Sequence, residues 1–137
     1  MATVYIETSI IGYLTSRSRE GVIFQARPEL TRIWWNARRQ QYELAISQLV
    51  LDEAGSGEAE AAAERLELLD GIPLLDVTDP RIDPIADALL NAHLLPAKAR
   101  SDAEHVATAT VHVVDYLLTG TVNTSRMQTR FQWSIGC

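Results

Sequence analysis

Glu7, Glu53 and Asp102 are the residues from which chemistry is most readily built, because each falls at the end of an expected secondary-structure element. Carboxylates held close together repel, and one of them takes up a proton unless a cation intervenes. A hard divalent ion meets that need, since Mg²⁺ accepts one or two carboxylates and keeps several waters. With a phosphate as a further ligand, such an ion polarises the phosphoryl oxygen and generates hydroxide for in-line attack. Competing chemistries lack their residues. His93, His105 and His112 have no ligand spacing to the single cysteine, Cys137, so no zinc cluster is expected. There is no phosphate-cradling glycine loop and no Gly-x-Ser-x-Gly elbow. An aspartyl-phosphate route needs an Asp nucleophile after the first strand, where this chain has Glu7.

The elements that must position these acids are legible from hydrophobic pattern. Val4–Ile6 is a short β-branched apolar run, read as a buried strand, and Glu7 follows it directly. Glu53 lies on a brief helix after a second strand, Tyr42–Ile46, and shares a face with Leu49 and Val50, while Asp52 points about 100° away into solvent. Asp102 falls in the first turn of a helix over Ser101–Val113 and looks along the same face as Val106 and Ala109. Each acid has a second reading. Glu7 could cap a helix or meet an arginine, and Glu53 could escape to water. Asp102 could serve the helix dipole, beside a Ser101-x-x-Glu104 capping box. His105, one turn beyond Asp102, reads first as a packing residue and second as a hydrogen-bonding neighbour of the site.

Elsewhere, Thr8 and Ser9 offer caps to a short helix carrying Ile10, Ile11 and Leu14. Pro28 suits the first turn of a helix running to about Arg39, with Leu30, Ile33 and Trp34 inward. Ser47 is placed to cap the helix that ends before Gly55. Residues 58–70 are helical by composition, and Ile72–Val77 reads as a third strand. Ile82, Ile85, Ala86 and Leu89 mark another helix, which Pro96 stops from extending, and Tyr116–Thr119 a fourth strand. Strands alternating with helices imply a parallel sheet with helices on its faces, and ligands bind at the carboxyl ends of such strands.

Composition sets outer bounds. The 137 residues suit one domain, and 47% hydrophobic with 22% charged residues is ordinary for a globular protein. No apolar run reaches the ~20 residues of a membrane span, and the amino terminus lacks a signal-peptide pattern, so a cytoplasmic protein is expected. The net charge of −6 gives no overall basic footprint for nucleic acid. Arg27, Arg32, Arg38 and Arg39 bias one helix toward positive charge, which is read first as a solvated face and second as a place for nucleic acid.

The order of VYIETSIIGYL, AISQLVLDEA around Glu53, ARSDAEHVATA around Asp102 and VDYLLT resembles the PIN-domain ribonucleases, especially toxins of VapC type. The resemblance spans residues 3–119. It implies one PIN-like three-layer domain over residues 1–137, with a parallel sheet of four or five strands and helices on both faces. It further implies an endoribonuclease dependent on Mg²⁺ or Mn²⁺, with Glu7, Glu53 and Asp102 as catalytic and metal-binding acids and Ser9 steadying the site. An RNA substrate, an antitoxin partner and a homodimer follow from the same likeness. Asp115 matches a mostly structural acid. The chain departs from the pattern after its fourth strand, where an acid or Asn is usual. No acid follows Asp115, and Asn123 stands two residues late. Residues 120–137 read as a divergent, loosely packed tail, whose Arg126, Arg130, Phe131 and Trp133 have the chemistry to touch RNA. A binding module with a degraded site is the alternative to an active nuclease.

Overall fold

The computed structural model describes residues 1–15, 22–92 and 100–119, with side chains throughout except those of Tyr13, residues 22–28 and Leu30. The chain runs through β1 (Thr3–Ile6), α1 (Thr8–Thr15), α2 (Val22–Ala37), β2 (Glu43–Ser47), α3 (Gln48–Ala54) and α4 (Ala59–Leu69). It continues through β3 (Leu74–Leu75), α5 (Ile82–Asn91), α6 (Arg100–Val111) and β4 (Tyr116–Leu118). The expectations for His93, Pro96, Asn123, Cys137 and the aromatic and basic residues of the tail lie outside the described residues, as does the Arg27 side chain.

The strands form one parallel sheet in the order β3-β2-β1-β4. Two successive connections step from β1 through β2 to β3, and the last returns across the sheet to β4. Right-handed crossovers therefore put α1–α4 over one face and α5–α6 over the other. The packing agrees: α1 rests on α2, α3 and α4, whereas α5 rests on α6 and α6 on β4. The α/β class, the parallel sheet and the flanking helices are as expected, with four strands among the described residues. No helix among them is long and apolar enough to cross a membrane.

β1 is central because its side chains feed both faces. Val4, Tyr5 and Ile6 are all fully buried, and alternation sends Tyr5 to the face opposite its two neighbours. Tyr5 pairs with Ala45 of β2 and Leu117 of β4. Asp115 fastens the start of β4 to β1: its carboxylate accepts the Thr3 N–H at 2.8 Å, and its own N–H donates to the Thr3 carbonyl at 3.0 Å. That is the structural role expected of it.

Several local expectations are corrected. α2 begins at Val22, so Pro28 sits inside the helix and not in its first turn; its missing N–H leaves one backbone bond unmade, which neighbouring turns tolerate. The inward face of α2 carries Thr31, Trp34 and Trp35, and Ile33 is 57% exposed. Two adjacent tryptophans bury more apolar area than one isoleucine, and they set the rotation of the helix. β3 shrinks from the expected six residues to Leu74–Leu75, whose partners Ile46 and Ser47 are the last two residues of β2 before α3 begins. The Ser101–Glu104 capping box does not form, because α6 already includes Arg100 and Glu104 accepts from the Arg100 guanidinium instead.

Candidate metal centre

The three acids stand near the carboxyl ends of the strands: Glu7 directly after β1, Asp102 in the first turn of α6, and Glu53 in the last turn of the short helix α3 that follows β2. This edge is also the place where the connection from β1 leaves on one face and that into β4 arrives on the other, the usual crevice of an open parallel sheet.

Glu7 follows β1 and is 4% exposed. Its Oε2 accepts the Ser9 N–H at 3.0 Å and its Oε1 the Ser9 hydroxyl at 2.5 Å. The Thr119 hydroxyl, just past β4, also donates to Oε1. Glu7 thus satisfies an orphan N–H of α1 and caps that helix. Thr8 and Ser9, expected to cap that helix, give their hydroxyls to carboxylates.

Glu53 is half-buried on the face of α3 shared with Val50, while Asp52 is exposed and holds Gln48 at 2.8 Å. Two donors converge on Glu53 Oε1: the Thr8 hydroxyl at 2.7 Å and His105 Nε2 at 2.6 Å. The His105 bond is the main reason that the Glu53 carboxyl lies below its ordinary range, against the opposing effect of burial, with Thr8 and Ser101 adding to it.

His105 is fully buried, and its Nδ1 lies 2.7 Å from the Tyr5 hydroxyl, which lies 2.7 Å from Ser47 Oγ. Burial pushes the Tyr5 phenol well above the usual tyrosine range, so it stays protonated. Ser47 occupies the N-cap position of α3, but its side chain makes no capping bond and serves Tyr5.

Asp102 differs from both glutamates. It is half-buried, yet among the described residues its carboxylate has no hydrogen-bond donor and no ion pair. Burial raises its carboxyl above the ordinary aspartate range, the Glu7 and Glu53 charges raise it further, and His105 opposes them.

The ligand atoms of Glu7, Glu53 and His105 all lie within 4.8 Å of one another, close enough to hold one metal ion. His105 is the weakest member of that group. A carboxylate can only accept, so Nε2 carries its proton toward Glu53, and Nδ1 is taken by Tyr5. The oxygens of Glu7 and Glu53 fit a hard divalent cation better; Asp102 lies outside that 4.8 Å group, near enough for both charges to act on its carboxyl.

Tyr5, Thr8, Ser47 and Thr119 were missed by sequence reasoning. Ser47 ends β2 and Thr119 follows β4, so the rule that drew attention to Glu7, inspection of the residue closing each strand, also covers these two hydroxyls. Tyr5 sat within an apolar run, with no signal beyond a phenol tip that needs a partner when buried.

No family model matches the chain, and no curated protein sequence does. Among solved structures, the chain is similar to the crystal structure of VapBC2 from Rickettsia felis bound to a DNA fragment from their promoter. The TM-score is 0.61 at 15% identity, over 96% of each chain. The likeness is one of fold, and it agrees with the PIN-like architecture expected from the sequence.

Proposed function

We propose that this protein is a divalent-metal-dependent endoribonuclease that hydrolyses RNA phosphodiester bonds, the toxin of a toxin–antitoxin pair. The observation that carries the reading is Asp102: a half-buried carboxylate with no donor among the described residues, within reach of the charges of two more carboxylates at the carboxyl edge of a parallel sheet. Like charges in that setting call for a cation. Glu7, Glu53 and Asp102 would hold Mg²⁺ or Mn²⁺ through oxygen. A bound ion of this kind supplies Lewis-acid polarisation of the phosphoryl oxygen and makes a water acidic enough to attack.

The chain's own residues do the arranging. Ser9 and Thr119 hold Glu7 through its Oε1, and Thr8 and His105 hold Glu53. Both glutamates are thereby oriented before substrate arrives, which limits reorganisation during reaction. Asp102 lacks such support among the described residues, so a bound ion would set its orientation.

The partner and setting follow from the same reading. The similar structure is a VapBC2 assembly on promoter DNA, and we propose an antitoxin protein as partner, a homodimer as working form and the cytoplasm as location. One observation favours the alternative, a binding module with weak or no turnover. No acid follows Asp115 in the sequence, so the acid or Asn usual in the resembled family shortly after Leu117-Leu118-Thr119 is missing, with Asn123 two residues late.

The test is incubation of purified protein with structured and single-stranded RNA in Mg²⁺, Mn²⁺ or EDTA, beside Asp102→Asn. Cleavage that needs metal and collapses in the variant is expected. Equal cleavage by both proteins would reject this site. Metal-dependent RNA binding without cleavage would favour the module.

A further inference from the structure

Behind the proposed cation site, four polar side chains from four elements form a continuous line that runs from the core to half-buried Glu53: Ser47 at the end of β2, Tyr5 on β1, His105 on α6 and Glu53 on α3. Its spacing follows from sheet register. Tyr5 pairs with Ala45, so Ser47, two residues further along β2, shares the face of Tyr5 and stands where the phenol tip ends. Ser47 and His105 are fully buried, as is Tyr5.

Glu53 can only accept, so His105 donates to it through Nε2. The other ring nitrogen, Nδ1, shares a hydrogen bond with the Tyr5 hydroxyl, which shares another with the Ser47 hydroxyl. Removing the Tyr5 hydroxyl leaves a fully buried Nδ1 without its partner.

We propose that Ser47, Tyr5 and His105 are positioning residues: a buried hydrogen-bond relay that fixes the orientation of Glu53 as a metal ligand. The inference rests on the reading of Glu53 as a ligand given above. The relay and Thr8 both deliver donors to Oε1, and Ser101 adds a further hydrogen bond to the same carboxylate. Hydrogen-bonding partners behind a ligand typically matter by ~10- to 100-fold in metal affinity.

The experiment is calorimetric titration of the metal-free protein with Mn²⁺, for the wild type and for Tyr5→Phe, His105→Ala and His105→Gln, with near-ultraviolet circular dichroism to verify packing. Tyr5→Phe keeps the ring and deletes only the hydroxyl, and is expected to raise the Mn²⁺ dissociation constant by about tenfold. His105→Ala should raise it further. His105→Gln, which returns an N–H donor toward Glu53, should recover part of the loss. A purely structural role would lower the melting temperature in all three and leave the dissociation constant unchanged, and that result overturns the relay. Should His105→Ala fail to fold, Tyr5→Phe decides alone. A folded wild type that binds no Mn²⁺ rejects the metal site itself, whereas wild-type binding matched by Tyr5→Phe rejects only the relay.

Discussion

Two sides of the first turn of α6 handle negative charge in opposite ways. On one side, Arg100 gathers three acids: Glu104 at 3.1 Å, Asp83 at 3.4 Å and Asp87. On the other, Asp102 faces the charges of Glu7 and Glu53 with no donor or ion pair among the described residues. The Arg100 group lies largely at the surface, where one guanidinium offsets part of its negative charge and water screens the rest. The Asp102 group is half-buried, and its surroundings raise its carboxyl pKa. Acidic clusters are common; what separates a candidate binding site from a surface clasp is whether the protein supplies the countercharge.

The largest test of that contrast is Asp102→Asn. Metal-dependent cleavage should fall by at least about 100-fold, read as initial rate on a labelled RNA, since an amide oxygen is a poor substitute for a charged ligand. Arg100→Met should leave the rate unchanged. Mn²⁺ should likewise raise the melting temperature of the wild type and not that of Asp102→Asn. Saturation at 100 times the dissociation constant is worth about 2.7 kcal/mol.

Without metal, pH should separate the site's two kinds of acid. The raised Asp102 carboxyl binds its proton more tightly folded than unfolded, so its contribution to stability falls as pH rises above the ordinary aspartate value of 3.8. The lowered Glu53 carboxyl has the opposite sign: its contribution is present above the ordinary value of 4.5 and is lost as pH falls through the lowered one. Metal-free Asp102→Asn should therefore be more stable than wild type near pH 7, with the advantage vanishing below about pH 3.5, where Asp102 is largely protonated in both states. Thermal denaturation across pH checks this, and an advantage that persists at pH 3 contradicts it.

Smaller effects are expected away from the acids. α6 closes with Val113 N–H donating to the Thr110 carbonyl and Val114 N–H to the Ala109 carbonyl, the paired bonds of a Schellman end. That end puts Val113 at φ 53°, where a β-branched residue is strained. At the end of α4 the chain makes a comparable turn with Gly71 at φ 82°. Val113→Gly should raise stability by about 1 kcal/mol, less the flexibility that glycine adds to the unfolded chain. Arg100→Met should lower the melting temperature by the smallest amount, with the difference shrinking in high salt as exposed pairs are screened.

Features carried by one element were readable from the chain alone. The apolar run Val4–Ile6, the inward spacing of Val106 and Ala109 behind Asp102, and the outward turn of Asp52 all follow from periods of 2 and 3.6 residues. They fixed the α/β class and put Glu7, Glu53 and Asp102 at element ends. Periodicity misplaced what neighbours decide: the rotation of α2 turned on packing Trp34 and Trp35, and β3 shortened because its partner β2 ends at Ser47. Contacts across elements needed the fold. Tyr5 and His105 are 100 positions apart, and Thr119 and Glu7 are 112 apart. No local period records which hydroxyl meets which carboxylate. Sheet register and crossover handedness bring them together, and the cost of burying an unpaired polar group then selects the partners.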